Sequence, residues 1–173
     1  MRYSLEPGTL VELRQEVEHI EHFLSLMKER YEERLGYAIQ IPEELLQYHI
    51  PRFTLQPLIE NAMYHGIDPK SEGGCIEVTG WPEEQHLVLE IRDSGIGMSE
   101  KELERWQSAL KYEANLLTRS RHIGILNVQG QIQRIFGPDY GLALAAGRWE
   151  EGMVITIRLP LCSSEELAQE GVS

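Results

Sequence analysis

The chain has 173 residues, with 16 Lys and Arg against 28 Asp and Glu, giving a net charge of −12 and a pI near 4.9. That length predicts one domain, and 42% hydrophobic with 25% charged residues supplies a core and excludes global disorder. So acidic a chain also argues against a nucleic-acid binder, because binding by counterion release needs dense Lys and Arg, and any anionic ligand must be held by local positive charge.

Uncharged stretches are broken by Gly, Pro or charge short of a bilayer-spanning length, and no signal-peptide pattern is present. Cys75 and Cys162 stand far apart with no CxxC or Cys/His cluster, which argues against a disulfide framework or structural zinc and fits a reducing compartment. No repeat of fixed period is visible.

In chain order, Thr9 and Glu12 read as a capping box opening a helical arm. Leu10, Leu13, Val17, Ile20, Leu24, Met27 and Tyr31 recur at alternating spacings of 3 and 4, the spacing of a coiled-coil seam. Such a seam needs a groove, which the chain's own body or a second helix can supply. Gly36 ends the arm and residues 37–42 read as a short strand. A second helix is predicted over 51–65, stopped by Gly66, with Phe53, Leu55, Leu58, Ile59, Ala62 and Met63 facing the core. Pro57 within it removes the bond to the Phe53 carbonyl, so a kink, or a first turn held from elsewhere, is expected.

Residues 75–80 and 87–93 alternate as two strands joined by a turn at 81–84. Ser99 with Glu102 starts a polar third helix that fades near Leu110, and 111–123 has no clean period, as a mobile segment would. Residues 124–136 are helical again, 142–146 and 153–159 are strands, and the acidic tail after Pro160 reads as frayed.

Three constellations carry chemistry. Asn61 and His65 are four apart and share a helix face, while Glu60 points about 100° away. An amide oxygen suits Mg²⁺, which keeps several waters and leans on substrate phosphates, and His65 beside it can touch a phosphate oxygen. In Asp93-Ser94-Gly95-Ile96-Gly97-Met98 a carboxylate fixed by a strand end can accept a hydrogen bond from an exocyclic amine, and two glycines let backbone approach a ring. This is not a Rossmann fingerprint, since position 100 is Glu100. In His122-Ile123-Gly124-Ile125-Leu126-Asn127 a glycine opens a helix after the basic Arg119, Arg121 and His122, and helix N-termini take phosphate readily. There is no P-loop GxxxxGK[ST] and no HRD or DFG set. Each constellation alone also has an ordinary structural reading, as a cap, a turn or a helix start.

Their order is specific. Leu55-Gln56-Pro57-Leu58-Ile59-Glu60-Asn61-Ala62, then Asp93-Ser94-Gly95-Ile96-Gly97-Met98, then Ile123-Gly124-Ile125-Leu126-Asn127-Val128 resembles the N, G1 and G2 boxes of the GHKL ATP-binding fold. Within that fold the chain is similar to the catalytic domain of LytS/YesM-type sensor histidine kinases, from Arg2-Tyr3-Ser4-Leu5 to Ile157-Arg158-Leu159-Pro160.

The resemblance implies an α+β, two-layer sandwich of the GHKL (Bergerat) type: a mixed, mostly antiparallel sheet with helices on one face, preceded by the helical arm. The expected divisions are 1–36 for the arm, 37–162 for the catalytic domain and 163–173 for a flexible tail. Carried over by position, Asn61 would hold Mg²⁺ and Asp93 would read the adenine amino group of ATP. Gly95 and Gly97 would shape the base pocket, with Gly124 and Leu126 on the phosphate side, His65 beside the phosphates, and residues 98–123 forming a lid. Arg119 and Arg121 would supply local positive charge, which is an inference from the net charge. Glu60 matches the N-box glutamate that activates water in ATP-hydrolysing relatives, a duty not expected of a kinase. Two positions depart from the pattern: His122 replaces the first glycine of the G2 box, and Gly152-Met153 replaces the usual Gly-Thr near the last strand.

The function implied is the ATP-binding, catalytic part of a cytoplasmic-facing, membrane-bound bacterial sensor kinase. It would present MgATP to a histidine on a dimerisation domain outside this chain, for onward transfer to a response-regulator aspartate, with no nucleic-acid partner and a homodimeric full-length protein. Alone it is expected to bind nucleotide without appreciable autophosphorylation. Family members carry Asn-Pro-His-Phe as acceptor; His22-Phe23-Leu24 mimics it, but Glu21 precedes and His22 lies off the seam, so His22 reads as an exposed helix histidine. Two other hypotheses stay open: an interaction module in which His122 and Met153 have weakened ATP binding, and a GHKL ATPase or anti-sigma serine kinase, which would lack the arm and the LQPLIENA context.

Overall fold

The computed structural model describes residues 9–112, 123–147 and 151–169. The chain opens with a short strand, β1 (Leu10–Glu12), and not with a helix turn, and β1 pairs antiparallel with β3 (His49–Pro51). Helix α1 (Leu13–Tyr31) follows. Glu12 is its N-cap and makes no side-chain cap bond, so the Thr9–Glu12 capping box does not form. Two of the orphan donors of the first turn are satisfied instead from another segment: Leu13 and Arg14 N–H donate to the carbonyls of Tyr48 and Leu46 at 2.8 and 3.0 Å.

α1 ends at Tyr31, five residues before Gly36, because Glu32 turns into positive φ (50°) and its N–H closes back on Lys28 O. After a single turn at Glu32–Arg34, strand β2 (Leu35–Gln40) begins, placing Gly36 inside a strand. Pro51 lies in β3, and Phe53 has φ 61° and is 53% exposed, so neither belongs to the second helix or its core face. That helix, α2 (Leu55–Asn61), continues through a π turn (Ala62–Ile67), past Gly66. Pro57 falls in the first turn of α2, where its missing N–H costs little.

The hairpin strands are longer than their alternation suggested. β4 (Gly74–Glu83) and β5 (His86–Asp93) are joined by Glu84 and Gln85, with Glu84 at φ 54°. Then come α3 (Glu100–Tyr112), α4 (Ile123–Phe136), β6 (Gly141–Ala146), β7 (Met153–Pro160) and α5 (Ser164–Gln169). The tail is therefore not irregular throughout. Ser163 and Glu166 form a reciprocal capping box for α5, and Cys162 is buried with its carbonyl on His49 N–H. Most of the segment 111–123, expected to be mobile, lies outside the described residues.

The main sheet has the order β2-β4-β5-β7-β6, with β2 and β4 parallel and the other pairs antiparallel. Register stacks one face into apolar rows. Val78, Ile91, Ile155 and Leu144 form one row, Leu89, Ile157 and Leu142 another, and all are nearly or fully buried. Glu77, Arg92 and Arg158 fall on the opposite face and are half-buried or exposed, so the helices cover a single face of the sheet. Leu13, Ile20 and Leu24 of the arm's seam are fully buried and Val17, Met27 and Tyr31 pack partly against the same core. The seam's groove is this chain's own body.

Candidate functional site

The site grows from the end of β5. Register places Asp93 between Ile76 of β4 and Met153 of β7, on the core face, so a carboxylate ends a row of apolar side chains with 7% exposure. Burial pushes its pKa from 3.8 up to about 6, although the N–H groups of Gly95 and Met153 and the Lys70 charge pull the other way. The Gly95 N–H donates to Oδ1 at 2.9 Å.

What makes room for Asp93 is the absence of side chains around it. A Cβ on Gly66 would lie 2.7 Å from Asp93 Oδ1, one on Gly95 would lie 2.2 Å from the Gly66 carbonyl carbon, and one on Gly152 would lie 1.8 Å from the Asp93 carbonyl oxygen. Ile96 N–H donates to Gly66 O at 3.0 Å, which docks the glycine loop on the π turn. Lys70, also in the segment after that turn, donates through Nζ to Ser94 O at 2.9 Å and pairs with Glu151 at 3.4 Å.

Asn61 ends α2 and His65 lies in the π turn, and together they form one wall of a cavity of about 320 Å³ that has Asp93 in its lining. Tyr64 and Gly66 share that wall. Ile96, Gly97, Met98 and Met153 contribute apolar and backbone surface, and Glu102 of α3 closes one side. Ile96 is 57% exposed and offers apolar surface to the cavity.

The structure thus brings together Asn61, His65, Asp93 and Gly97, and sets Gly95 directly behind. Glu60, Gly124 and Leu126 do not line this cavity. Glu60 accepts a hydrogen bond from Gln56 Nε2 at 3.0 Å. Gly124 lies against Pro57, where a Cβ would come within 3.3 Å, and the Leu126 side chain is buried at 3% exposure, so only its backbone is left to offer a ligand. Arg119, Arg121 and His122 lie outside the described residues. Gly66, Tyr64, Lys70 and Glu102 stand at the site without a signal in the sequence pattern: Gly66 reads there as a helix stop, and only the fold brings it against Gly95 and Asp93.

The donor set suits an adenine nucleotide with magnesium. A carboxylate at the wall of a cavity that also presents Ile96, Met98 and Met153 can accept from an exocyclic amine, and the two glycine loops leave space a Cβ would fill. Asn61, in the cavity lining, carries an amide oxygen of the kind that suits Mg²⁺, which usually completes its shell from water and phosphate.

Residues 50–163 match the family model of the histidine kinase-, DNA gyrase B-, and HSP90-like ATPases. The sensor histidine kinase BtsS of Escherichia coli K12 is 34% identical over 154 residues, 89% of this chain and 24% of BtsS. The sensor histidine kinase YesM of Bacillus subtilis strain 168 is 30% identical over 156 residues, 90% of this chain and 25% of YesM. The chain therefore spans about a quarter of the length of these curated relatives. The solved catalytic domain of histidine kinase ThkA superposes with a TM-score of 0.63 at 15% identity, covering 90% of this chain and 98% of that one, which supports the fold. With the three boxes in order and the mixed five-stranded sheet, the chain belongs to the histidine kinase-, DNA gyrase B-, and HSP90-like ATPase family, and about nine-tenths of it is similar to one part of sensor histidine kinases.

Proposed function

We propose that this domain binds MgATP in the Asp93 cavity and presents it for phosphoryl transfer to a histidine outside this chain, on a dimerisation domain of the same kinase, and thence to a response-regulator aspartate. The observation that carries the reading is the buried Asp93 carboxylate lining a cavity of mixed character, whose walls combine Ile96, Met98 and Met153 with glycine backbone and Asn61-His65. The full-length protein is then a homodimer with this domain on the cytoplasmic side of a membrane; among the described residues no helix is long and apolar enough to cross one.

The nucleotide supplies the γ-phosphoryl group and magnesium neutralises charge on its oxygens; the protein's part is binding and orientation. Asp93 selects the base: as a carboxylate it accepts from an amine and repels a carbonyl oxygen. Gly95 N–H holds that carboxylate in one rotamer. Asn61 offers a neutral oxygen to the cation, and His65, one turn on, offers a ring N–H on the same wall. Glu60, outside the cavity and bonded to Gln56, is poorly set to activate water, in keeping with a kinase more than a hydrolase.

Calorimetric titration of MgATP and MgADP into the wild type, Asp93→Asn and Asn61→Ala tests the reading. The expected result is binding to wild type, loss with Asp93→Asn, and a weakening confined to the Mg²⁺-dependent part with Asn61→Ala. No heat with any nucleotide would sink it and leave an interaction module.

A further inference from the structure

Helix α1 grips the site helix at its start, middle and end. At the start, the buried Glu16 carboxylate of α1 accepts two backbone N–H bonds, from Phe53 at 2.8 Å and Leu55 at 3.0 Å, and so caps α2 from another element. Midway, the Phe23 ring meets Tyr64 edge to face, with centroids 6.3 Å apart and planes at 74°. At the end, the Tyr31 hydroxyl donates to Asp68 Oδ1 at 2.5 Å, and the guanidiniums of Arg30 and Arg34 lie over the Tyr31 ring at 5.7 and 5.8 Å. Arg34 then reaches on to the carbonyls of Ser71 and Lys70 at 3.2 and 3.1 Å.

These contacts bracket Asn61 and His65. Between them lies the π turn, closed by an i→i+5 bond from Asp68 N–H to Met63 O at 2.8 Å. A π turn carries one residue more per hydrogen-bonded ring than the helix it interrupts, so it is the place where a displaced helix changes register most easily, and such turns gather at functional sites.

We propose that Glu16, Phe23 and Tyr31 are positioning residues for the nucleotide site: α1 holds the π turn so that Asn61 and His65 face the cavity, and a shift of α1 is delivered to them. The inference rests on the reading of that cavity as an MgATP site. Phe23 acts through Tyr64, Tyr31 through Asp68, and Glu16 through the start of α2. By linkage, whatever α1 does to nucleotide affinity, bound nucleotide does in equal measure to the position of α1.

The test uses two near-isosteric changes that remove a contact and little volume, Tyr31→Phe and Phe23→Leu, singly and together, with Glu16→Gln as a third variant. MgATP is titrated calorimetrically into each, urea unfolding is recorded without nucleotide, and amide exchange is followed over 62–68 and over 27–34. The double variant is expected to bind MgATP about fivefold more weakly and to exchange faster at 62–68 while staying folded. In wild type, MgATP is expected to slow exchange in 27–34 as well as in 62–68. Variants that bind as wild type does overturn the inference, as does a loss of affinity that only tracks a loss of folded protein. If wild type itself binds no MgATP, the nucleotide reading fails first and the inference with it; if wild type binds and the variants do too, only the inference fails.

Discussion

Gly66 stands so close to Asp93 that a Cβ on it would lie 2.7 Å from Oδ1 and 3.1 Å from Cγ. The two residues come from different elements, the π turn and the end of β5, and the hydrogen on Gly66 is what lets the carboxylate reach the cavity wall. Gly66→Ala sets two effects against each other. Helix propensity favours Ala by about 0.5–1 kcal/mol, whereas overpacking a held side chain costs about 1–3 kcal/mol. Because Asp93 is pinned by Gly95 and Met153 N–H groups, it cannot yield freely, and overpacking wins. The variant is expected to unfold at lower urea and to bind MgATP at least about tenfold more weakly, measured by denaturation and calorimetry; full affinity would show that Asp93 adjusts without consequence.

Asp93 also sets a conflict between stability and binding. Its pKa of about 6, against 3.8 unperturbed, means the folded state holds the proton more tightly than the unfolded state. The corresponding contribution, about 3 kcal/mol from a shift of about two units, is fully present below pH 4 and is lost as pH rises through about 6. At pH 7 the ionised group therefore weakens the fold. Asp93→Asn cannot ionise, so it is expected to be more stable than wild type at pH 7 by about 1–3 kcal/mol, with the difference vanishing near pH 4. In the same variant the amide oxygen stays on the Gly95 N–H and the NH2 faces the amine, donor against donor, so MgATP binding is expected to be lost. In wild type, affinity should climb as pH rises through about 6, and Lys70→Met, by removing a cation that lowers the pKa, should move that midpoint upward. Urea unfolding and calorimetry across pH 4–8 check all three curves.

What the sequence disclosed and what it hid divide along the range of the interactions. Helix α4, strands β6 and β7 and the core face of β5 follow from local periodicity and were found nearly to the residue. The three boxes were legible because their chemistry is written in contiguous residues. The pairing of β1 with β3 was not, since residues 10–12 read helically until a strand some forty positions on takes up their backbone bonds. Phe53 fell off the predicted helix because its positive φ is held by Glu16, a residue of another element. Gly66 looked like punctuation, and only the fold reveals the carboxylate it accommodates.

Glu16 supplies the next prediction. Its carboxylate is 3% exposed and its two oxygens satisfy Phe53 and Leu55 N–H, the second of them buried. Glu16→Ala leaves both donors without that partner and opens a cavity. An unsatisfied buried donor costs about 1–3 kcal/mol, so a total loss of about 2–4 kcal/mol is expected, and Glu16→Gln, which keeps one acceptor, should recover roughly half. A loss below about 0.5 kcal/mol in urea denaturation would mean that α2 finds another cap.

Two glycines make a matched pair of opposite sign. Gly152 has φ 70° and a Cβ there would lie 1.8 Å from the Asp93 carbonyl oxygen, so Gly152→Ala meets both backbone strain and a collision with backbone that has no flexible end to move. Positive φ in a non-glycine residue costs about 1–3 kcal/mol, and the collision adds to it, so a loss of more than about 2 kcal/mol is expected together with weaker MgATP binding, because the Asp93 strand end must move. Gly130 sits within α4 and a Cβ there meets nothing within 4 Å. Gly130→Ala should therefore stabilise by about 0.5–1 kcal/mol, by helix propensity alone, and leave binding unchanged. Both are read from the same denaturation and titration experiments, and a Gly152→Ala protein as stable as Gly130→Ala would show that the loop before β7 relaxes away from Asp93 without cost.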